Sequence, residues 1–474
     1  MRPVDAGLKS IAVAQAARAR ARRAEDWPEL HQLLAEARKP NDVHQALLRD
    51  GPVRLARERS RNYGPSPSTL RDEAAAAGVL DATPDDLAFR RLFPTLDDGV
   101  YCASHAMGIP SVALQPAITE AVLRLQHFGV SAWSAWMPQV EQWRVAVAEL
   151  CGLDLMRGDV AAFPNFSEAL CVALGGVSGR MVTDATFFTT ATYIHRAWAE
   201  RTGSDLHEVQ PDADGVVSGE QLAAAIDGRT TVVSVSHACW RNGYLVDLEP
   251  ICEAIAERCP DATLLVDVYQ TLGTVPLALP NPPLRFAVLG GGIKQLHSGP
   301  GAGFGWFSHP LLASIDTDRT GWWAHSDPLA FADDFAPAQG ASRLRTGTLH
   351  PWPLLALLTE ARVLAASSGG ELAGGIARAR RVTQRATAAA LKHADARGLS
   401  IAGARHPSRR AAFFGVRVND GPRVIAALAE GGVVADFRAN TEGSARGLVR
   451  LSGSAASFPY ELEYAIERIA SVEK

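Results

Sequence analysis

Lysine is scarce in this chain of 474 residues, which contains five. One of them, Lys294, follows an apolar stretch and a glycine triplet, Phe286-Ala-Val-Leu-Gly-Gly-Gly-Ile-Lys294, and precedes Gln295-Leu-His-Ser-Gly-Pro-Gly301. Small residues on both sides leave room for a ligand to approach the backbone. Asp267 ends a second apolar run, Thr263-Leu-Leu-Val-Asp267. A lysine just past one strand end and a carboxylate at another suit imine chemistry. The amine, whose pKa moves readily on desolvation, would form a Schiff base. The carboxylate would keep a pyridine nitrogen protonated so that the ring accepts electrons. Pyridoxal 5'-phosphate (PLP) is the cofactor that such a pair serves. Taken alone, Lys294 reads as a solvated loop lysine; its neighbours are what point to chemistry.

A PLP site also needs a phosphate cradle, a ring-stacking group and an anchor for the substrate carboxylate. The segment Asp159-Val-Ala-Ala-Phe-Pro-Asn-Phe-Ser-Glu-Ala-Leu170 runs from an apolar stretch into a helix. Free N–H groups and the helix dipole at Asn165, Phe166 and Ser167 would bind phosphate there. The same text also fits a plain Ser-capped helix start. Gln270, three residues after Asp267, could meet the cofactor's 3-oxygen. Asp267 could equally cap the next helix. Arg450, in Gly447-Leu-Val-Arg-Leu-Ser452, offers a planar fork to a carboxylate, or is a surface arginine on an edge strand. His105, His237, His297 and His325 are spare candidates for acid–base work.

These residues need a scaffold. Arg180–Thr183, Thr231–Ser236, Thr263–Val266 and Arg285–Leu289 read as strands. Pro116–Phe128, Gln139–Cys151, Ser167–Leu174, Ser218–Ile226 and Leu248–Arg258 read as helices. Their alternation predicts an α/β fold with a mainly parallel sheet, in which ligands sit beyond the carboxyl ends of the strands. A long helix, roughly Leu354–His393, leads into Arg410–Val418, Gly421–Glu430 and a last helix from Tyr460. The organisation expected is a helical extension over 1–96, a large domain over 97–350 and a small α/β domain over 351–474.

Composition narrows the function classes. A net charge of −4 gives no reason to expect nucleic acid or a membrane surface as partner. No apolar run is long enough to span a bilayer, and the N-terminus lacks a signal-peptide core. Six cysteines show no metal spacing and no CxxC pair, which suits a reduced cytoplasm. All six lie before residue 260. Cys239 reads as a small buried hydrophobe.

Together these segments resemble fold-type-I PLP enzymes of the class-V aminotransferase-like superfamily, and within it kynureninase. The resemblance spans roughly residues 97–474. It rests on Gly99-Val-Tyr-Cys-Ala-Ser-His-Ala-Met-Gly108, Asp159 to Leu174, Ser236-His-Ala-Cys-Trp-Arg-Asn-Gly243, Asp267-Val-Tyr-Gln270, and Lys294 with Ser298-Gly-Pro-Gly301. It continues through Gly321-Trp-Trp-Ala-His325, Arg345-Thr-Gly-Thr348, Val434-Ala-Asp-Phe-Arg438 and Leu448-Val-Arg-Leu451. The resemblance implies a seven-stranded-type large-domain sheet. It makes Phe188 the ring-stacking residue; an aromatic in that place is otherwise core. It implies a homodimer with shared active sites, Trp322 and Thr346 reaching the partner's cofactor phosphate. It implies an α-amino acid substrate held by Arg450, with His105 on the substrate side.

Departures from the kynureninase pattern fall around the substrate. Ile293 stands where kynureninases carry a phosphate-binding tyrosine. Gln270 replaces a histidine, as in cysteine desulfurases. His105-Ala106 replaces an Asn-Ser pair, and Phe188-Thr-Thr-Ala191 replaces Phe-Pro-Thr-Asp. The expectation is therefore cleavage at the β-carbon of a specialised amino acid, kynureninase-like or C–S-lyase-like, in a biosynthetic pathway. Transamination, decarboxylation, epimerisation and substitution stay open, as does a non-catalytic partner-binding role. Persulfide chemistry needs a thiol in the C-terminal part, and no cysteine follows Cys259.

Overall fold

The computed structural model describes residues 83–315 and 320–473. Most of the expected helical extension, residues 1–82, lies outside the described residues. Its last turns form the helix Pro84–Arg90, started by a capping box between Thr83 and Asp86.

The strands, in chain order, are β1 (Val100–Tyr101), β2 (Gly158–Phe163), β3 (Arg180–Asp184), β4 (Asp205–Val209), β5 (Thr230–Ser236), β6 (Thr263–Asp267), β7 (Phe286–Gly291), β8 (Gly303–Ser308), β9 (Ile401–Ala402), β10 (Phe413–Val418), β11 (Val433–Val434), β12 (Asp436–Ala439) and β13 (Gly447–Ser452). Seven of them form one sheet in the order β2-β8-β7-β6-β5-β3-β4. Pairings from β7 through β4 are parallel, whereas β8 runs antiparallel to both β7 and β2. Every residue of β6, β7 and β8 is buried. That is why their text is continuously apolar or glycine rather than alternating. β4, at the sheet edge, is largely exposed or half-buried.

Helices cover the two faces. One core includes Val233, Val266, Val288 and Trp306 with Trp143 and Leu357. The opposite core includes Met181, Val232, Leu265, Ala287 and Phe307 with Leu170 and Trp198. Successive residues of β5 and β6 thus point to opposite cores, as the strand period requires.

The long helix expected over 354–393 is two helices, Pro351–Ala366 and Leu372–Ala396. Gly369 and Gly370, with φ of 80° and 99°, turn the chain between them, a conformation that glycine adopts without the Cβ penalty. The second helix packs on Pro459–Ala470 over an antiparallel sheet ordered β12-β13-β10-β9. β1 pairs in parallel with β11, which ties the segment that follows β1 to this C-terminal layer.

Candidate active site

β6 and β7 are adjacent and parallel, with Asp267 opposite Leu289. Asp267 closes β6, and Lys294 follows the end of β7 by three residues. Neighbouring strand ends therefore deliver both groups to one edge of the sheet.

Asp267 is buried and accepts the Tyr269 N–H at Oδ1 (2.7 Å). Among the described residues, its second oxygen accepts no hydrogen bond. Burial pushes its carboxyl up, against the Tyr269 N–H and the Lys294 charge. Burial pulls the Lys294 amine down, against the attraction of Asp267, and the positive charges of Arg450 and Arg438 add to that fall. The two groups sense each other without forming an ion pair. With its amide oriented as its neighbours demand, Gln270 accepts from Lys294 Nζ (2.9 Å) and donates to the His105 carbonyl (3.2 Å). Nζ also lies over two aromatic rings, 5.6 Å from the Phe188 centroid and 5.0 Å from that of Tyr269.

Phe188 sits at the start of the helix Thr189–Thr202 and is 43% exposed. Trp240 meets it edge-on (5.4 Å, 90°). The cradle segment begins the helix Phe166–Ala173, where Asn165 is the N-cap and accepts from Glu168 N (3.0 Å). Among the described residues, the N–H groups of Phe166 and Ser167 have no acceptor. Gly303 of β8 permits this loop to lie so close: a Cβ there would fall 2.5 Å from the Asn165 backbone.

Arg450 and Asp436 are direct cross-strand partners on β13 and β12. Arg450 Nε donates to Asp436 Oδ1 (2.8 Å), Nη2 donates to Oδ2, and Nη1 donates to the Trp240 carbonyl (2.6 Å). Three of its five N–H groups are thus engaged, and the two that remain suffice for one carboxylate. Burial alone would raise Asp436. Hydrogen bonds from His105 and Arg450 overcome that and hold its carboxyl below the usual carboxylate range. His105 gives Nε2 to Asp436 (2.9 Å) and stacks on Phe413 (5.1 Å). Fully buried, it is pulled down to about 4 and stays neutral. The ring of His105 is thus enclosed behind Asp436, and only its backbone carbonyl reaches Gln270.

Of the other histidines, His297 meets Lys294 only through the backbone, its N–H donating to the Lys294 carbonyl (3.1 Å). His237 bonds Thr271 (3.0 Å) and His297 packs on Phe93 (5.2 Å), both pulled down to about 4 by burial. His325 bonds the Asp327 backbone. Trp322 and Thr346 are exposed and lie side by side, since a Cβ at Gly321 would meet the Thr346 carbonyl. A cavity of about 460 Å³ is lined by Thr346, Phe163, Glu168, Gly301 and His350. All six cysteines are free; Cys239 is buried with its thiol pushed up by burial, 3.8 Å from the Thr186 hydroxyl.

Tyr269, Trp240, Asp436 and Arg438 belong to the site, although sequence reasoning assigned them no role. All four lie inside segments that carried the resemblance. Their signal was position within a motif, not residue type.

These residues fit PLP. A buried carboxylate with one oxygen unbonded suits a protonated pyridine nitrogen. A lysine with a lowered pKa suits a carbonyl, and unpaired N–H groups at a helix start suit a phosphate. Among the described residues no His/Cys/Asp/Glu group could hold a metal ion, and no helix is long and apolar enough to cross a membrane.

Comparison with known proteins agrees. Residues 178–418 match the family model for aminotransferase class-V. The chain is 25% identical over 387 residues to a kynureninase of Pseudomonas fluorescens, covering 78% of this chain and 88% of that one. It is 27% identical over 264 residues to an uncharacterized aminotransferase of Bacillus subtilis, covering 55% and 68%. Among solved structures, the apo cysteine desulfurase of Thermococcus onnurineus superposes with a TM-score of 0.70 at 18% identity, covering 83% of this chain and 98% of that one. A cystine C–S lyase superposes with a TM-score of 0.68 at 18% identity, covering 81% and 100%.

Proposed function

Because this chain belongs to the class-V aminotransferase family, as a fold-type-I PLP enzyme close to kynureninase, we propose that it cleaves an α-amino acid at the β-carbon, with Lys294 as its cofactor lysine. The observation that carries this reading is the convergence of Lys294 and Asp267 at the ends of two adjacent parallel strands, with the Phe188 ring, which follows β3, 5.6 Å from the amine. Bound PLP supplies an electron-accepting ring for the pair released when a bond to the amino acid's carbon skeleton breaks.

The chain's own groups divide the work. Asp267 holds a proton at the pyridine nitrogen. Its burial makes that proton pairing strong, because the competing solvent is excluded. Phe188 covers one face of the ring. Asn165, Phe166 and Ser167 bind phosphate through backbone N–H and hydroxyl groups. Gln270, which accepts from Nζ, would meet the cofactor's 3-oxygen. Lys294 then serves as the proton carrier at the substrate carbon; a lowered amine pKa suits both giving and taking a proton near neutral pH. Arg450 anchors the substrate carboxylate on its two remaining N–H groups, with Asp436 setting the plane of the fork.

The altered substrate side supports a specialised amino acid rather than kynurenine itself. Neutral, enclosed His105 offers no charge to a substrate, and Trp240 with Arg241 stacked on it (4.9 Å) lines the approach to Phe188. We assign the chain a homodimer in which Trp322 and Thr346 complete the partner's phosphate site, with a large domain over 97–350 and a small one over 351–474. The exposure of Trp322 and Thr346 supports that arrangement.

The test is visible absorbance of purified protein beside Lys294→Ala, with an amino-acid panel that includes kynurenine and cysteine conjugates. Wild type should carry a cofactor band that the variant lacks, and borohydride reduction should leave the cofactor mass on the peptide holding Lys294. Alanine or pyruvate released from a panel member supports β-carbon cleavage. Carbon dioxide, an oxo acid or a coupled product instead assigns the site to decarboxylation, transamination or substitution. No band after addition of PLP would overturn the proposal.

A further inference from the structure

Two guanidinium groups lie over one indole, that of Trp240. Arg241 Cζ is 4.9 Å from its ring centroid and Arg450 Cζ is 5.5 Å from it. The two cations can be no farther apart than those distances laid end to end. An indole face attracts a cation, but two cations around one ring also repel each other. The ring is fixed in place. Its Nε1 donates to the Thr186 carbonyl (3.0 Å), and Phe188 meets it edge-on at 5.4 Å. Its backbone carbonyl accepts from Arg450 Nη1. The paired cations are thus built into the wall beside the ring that would cover the cofactor.

Their counter-ions differ. Arg450 has Asp436, and Arg438 shares that carboxylate at 2.9 Å. Arg241 is half-buried, and among the described residues its guanidinium has no hydrogen bond and no ion pair. All five of its N–H groups are free for a ligand. Asp184, behind Thr186, accepts that residue's N–H and hydroxyl instead of an arginine. Neutral His105 adds no charge of either sign. The charges of Arg438 and Arg241 both act to lower Arg450, so the three arginines share one electrostatic neighbourhood. A substrate α-carboxylate on Arg450 supplies that neighbourhood with a second anion. Arg241 is still without one.

We propose that Arg241 binds a second anionic group, carried on the side chain of the amino acid whose α-carboxylate Arg450 holds. The inference rests on the PLP reading above and narrows its substrate class to acidic amino acids. A carboxylate, sulfinate, sulfonate or phosphonate would each serve, because each presents two oxygens to the planar fork. A neutral side chain would leave Arg241 crowded by like charge and without a partner.

Matched amino acids test this on the holoenzyme, with affinity read from the shift of the visible cofactor band. The pairs are aspartate with asparagine, glutamate with glutamine, and S-carboxymethylcysteine with S-ethylcysteine. In at least one pair, wild type should bind the acidic member about 10-fold more tightly, the low end for a charge-assisted hydrogen bond at a half-exposed site. Arg241→Gln should bring that ratio down toward one. Arg241→Lys, which keeps the charge without the fork, should keep part of it. The cofactor band reports folding; if Arg241→Gln loses it, Arg241→Met keeps an unbranched chain on the indole and should show the same fall. An acidic preference that depends on Arg241 supports the inference whichever bond the enzyme then breaks. Wild type that carries the band but favours no acidic member, whether or not the panel binds, overturns the inference alone. So does a ratio that survives Arg241→Gln. Wild type without a band after addition of PLP sinks the PLP reading and this inference together.

Discussion

Asp436→Asn tests the electrostatic core of the site without removing volume. Arg450, whose side chain is 3% exposed, has Asp436 as its counter-ion across the β12–β13 pair. His105 donates to the same carboxylate, and Arg438 lies 2.9 Å from it. The amide would leave a buried guanidinium without a negative partner. Removing one member of a buried pair costs about 3–5 kcal/mol. The Asp436 side chain retains 20% exposure, so entering water softens the loss to roughly 2–4 kcal/mol. That is a fall of about 30- to 1,000-fold in the folding equilibrium, at about 1.4 kcal/mol per decade. Urea midpoints of both proteins, read by far-ultraviolet circular dichroism and tryptophan fluorescence, measure it. The pH dependence carries a sign. The folded Asp436 carboxyl titrates below its unfolded value of about 3.9. Its contribution is therefore full above about pH 3.9 and is lost only as pH falls toward the folded value. The gap between wild type and variant should hold constant from about pH 7 to pH 5 and begin to close only below about pH 4. Removing Arg450 as well, as Arg450→Met, should return part of the loss. A gap under about 0.5 kcal/mol at neutral pH, or one that closes above pH 6, would refute the reasoning.

Acid should destabilise the protein from about pH 6.5 downward. His105, His195, His237 and His297 are each pulled down to about 4 by burial, below an unfolded value of about 6.5. Their contribution is present above that unfolded value and is lost as pH falls through the folded one. Glu360, Asp184 and Asp267, pushed up to about 7, about 6 and about 6, act with the opposite sign but are outnumbered by the four histidines. Urea midpoints should therefore fall between about pH 6.5 and pH 4, by a net cost on the order of 5 kcal/mol; a flat profile over that range contradicts the assignment. Gly303→Ala should push the Asn165 backbone away from β8 and weaken PLP binding by about tenfold, a loss of order one hydrogen bond to a charged group. Unaltered binding in folded Gly303→Ala protein would mean that the phosphate does not sit at residues 165–167.

The pair that first suggests PLP was legible as text. Asp267 ends an apolar run and Lys294 follows a glycine triplet, and each signal is local: residue type, neighbours and strand period suffice. Helix bounds near the site were legible for the same reason. Gly421–Glu430 stands as read, and Phe166–Ala173 starts one residue earlier than expected. The split at Gly369-Gly370 was also written in the chain, but an alanine-rich helical pattern on both sides masked it. β8, rich in glycine and aromatic residues, was not read as a strand, because its place comes from pairing with β2 and β7.

What no local pattern carries is which side chains meet across strands. Arg450 was expected to stand ready for a carboxylate. The register of β12 against β13 gives it one permanently and reserves part of its fork for another. His105 was expected beside the substrate. The pairing of β1 with β11 carries it behind Asp436, where burial keeps it neutral. Tyr269 reads as one more residue of a turn, until Gly291 and Phe166, distant in the chain, frame its ring beside Lys294. The chemistry was written in residue types; its geometry and its protonation states depend on burial and on contacts between residues far apart in the chain, which only the folded chain creates.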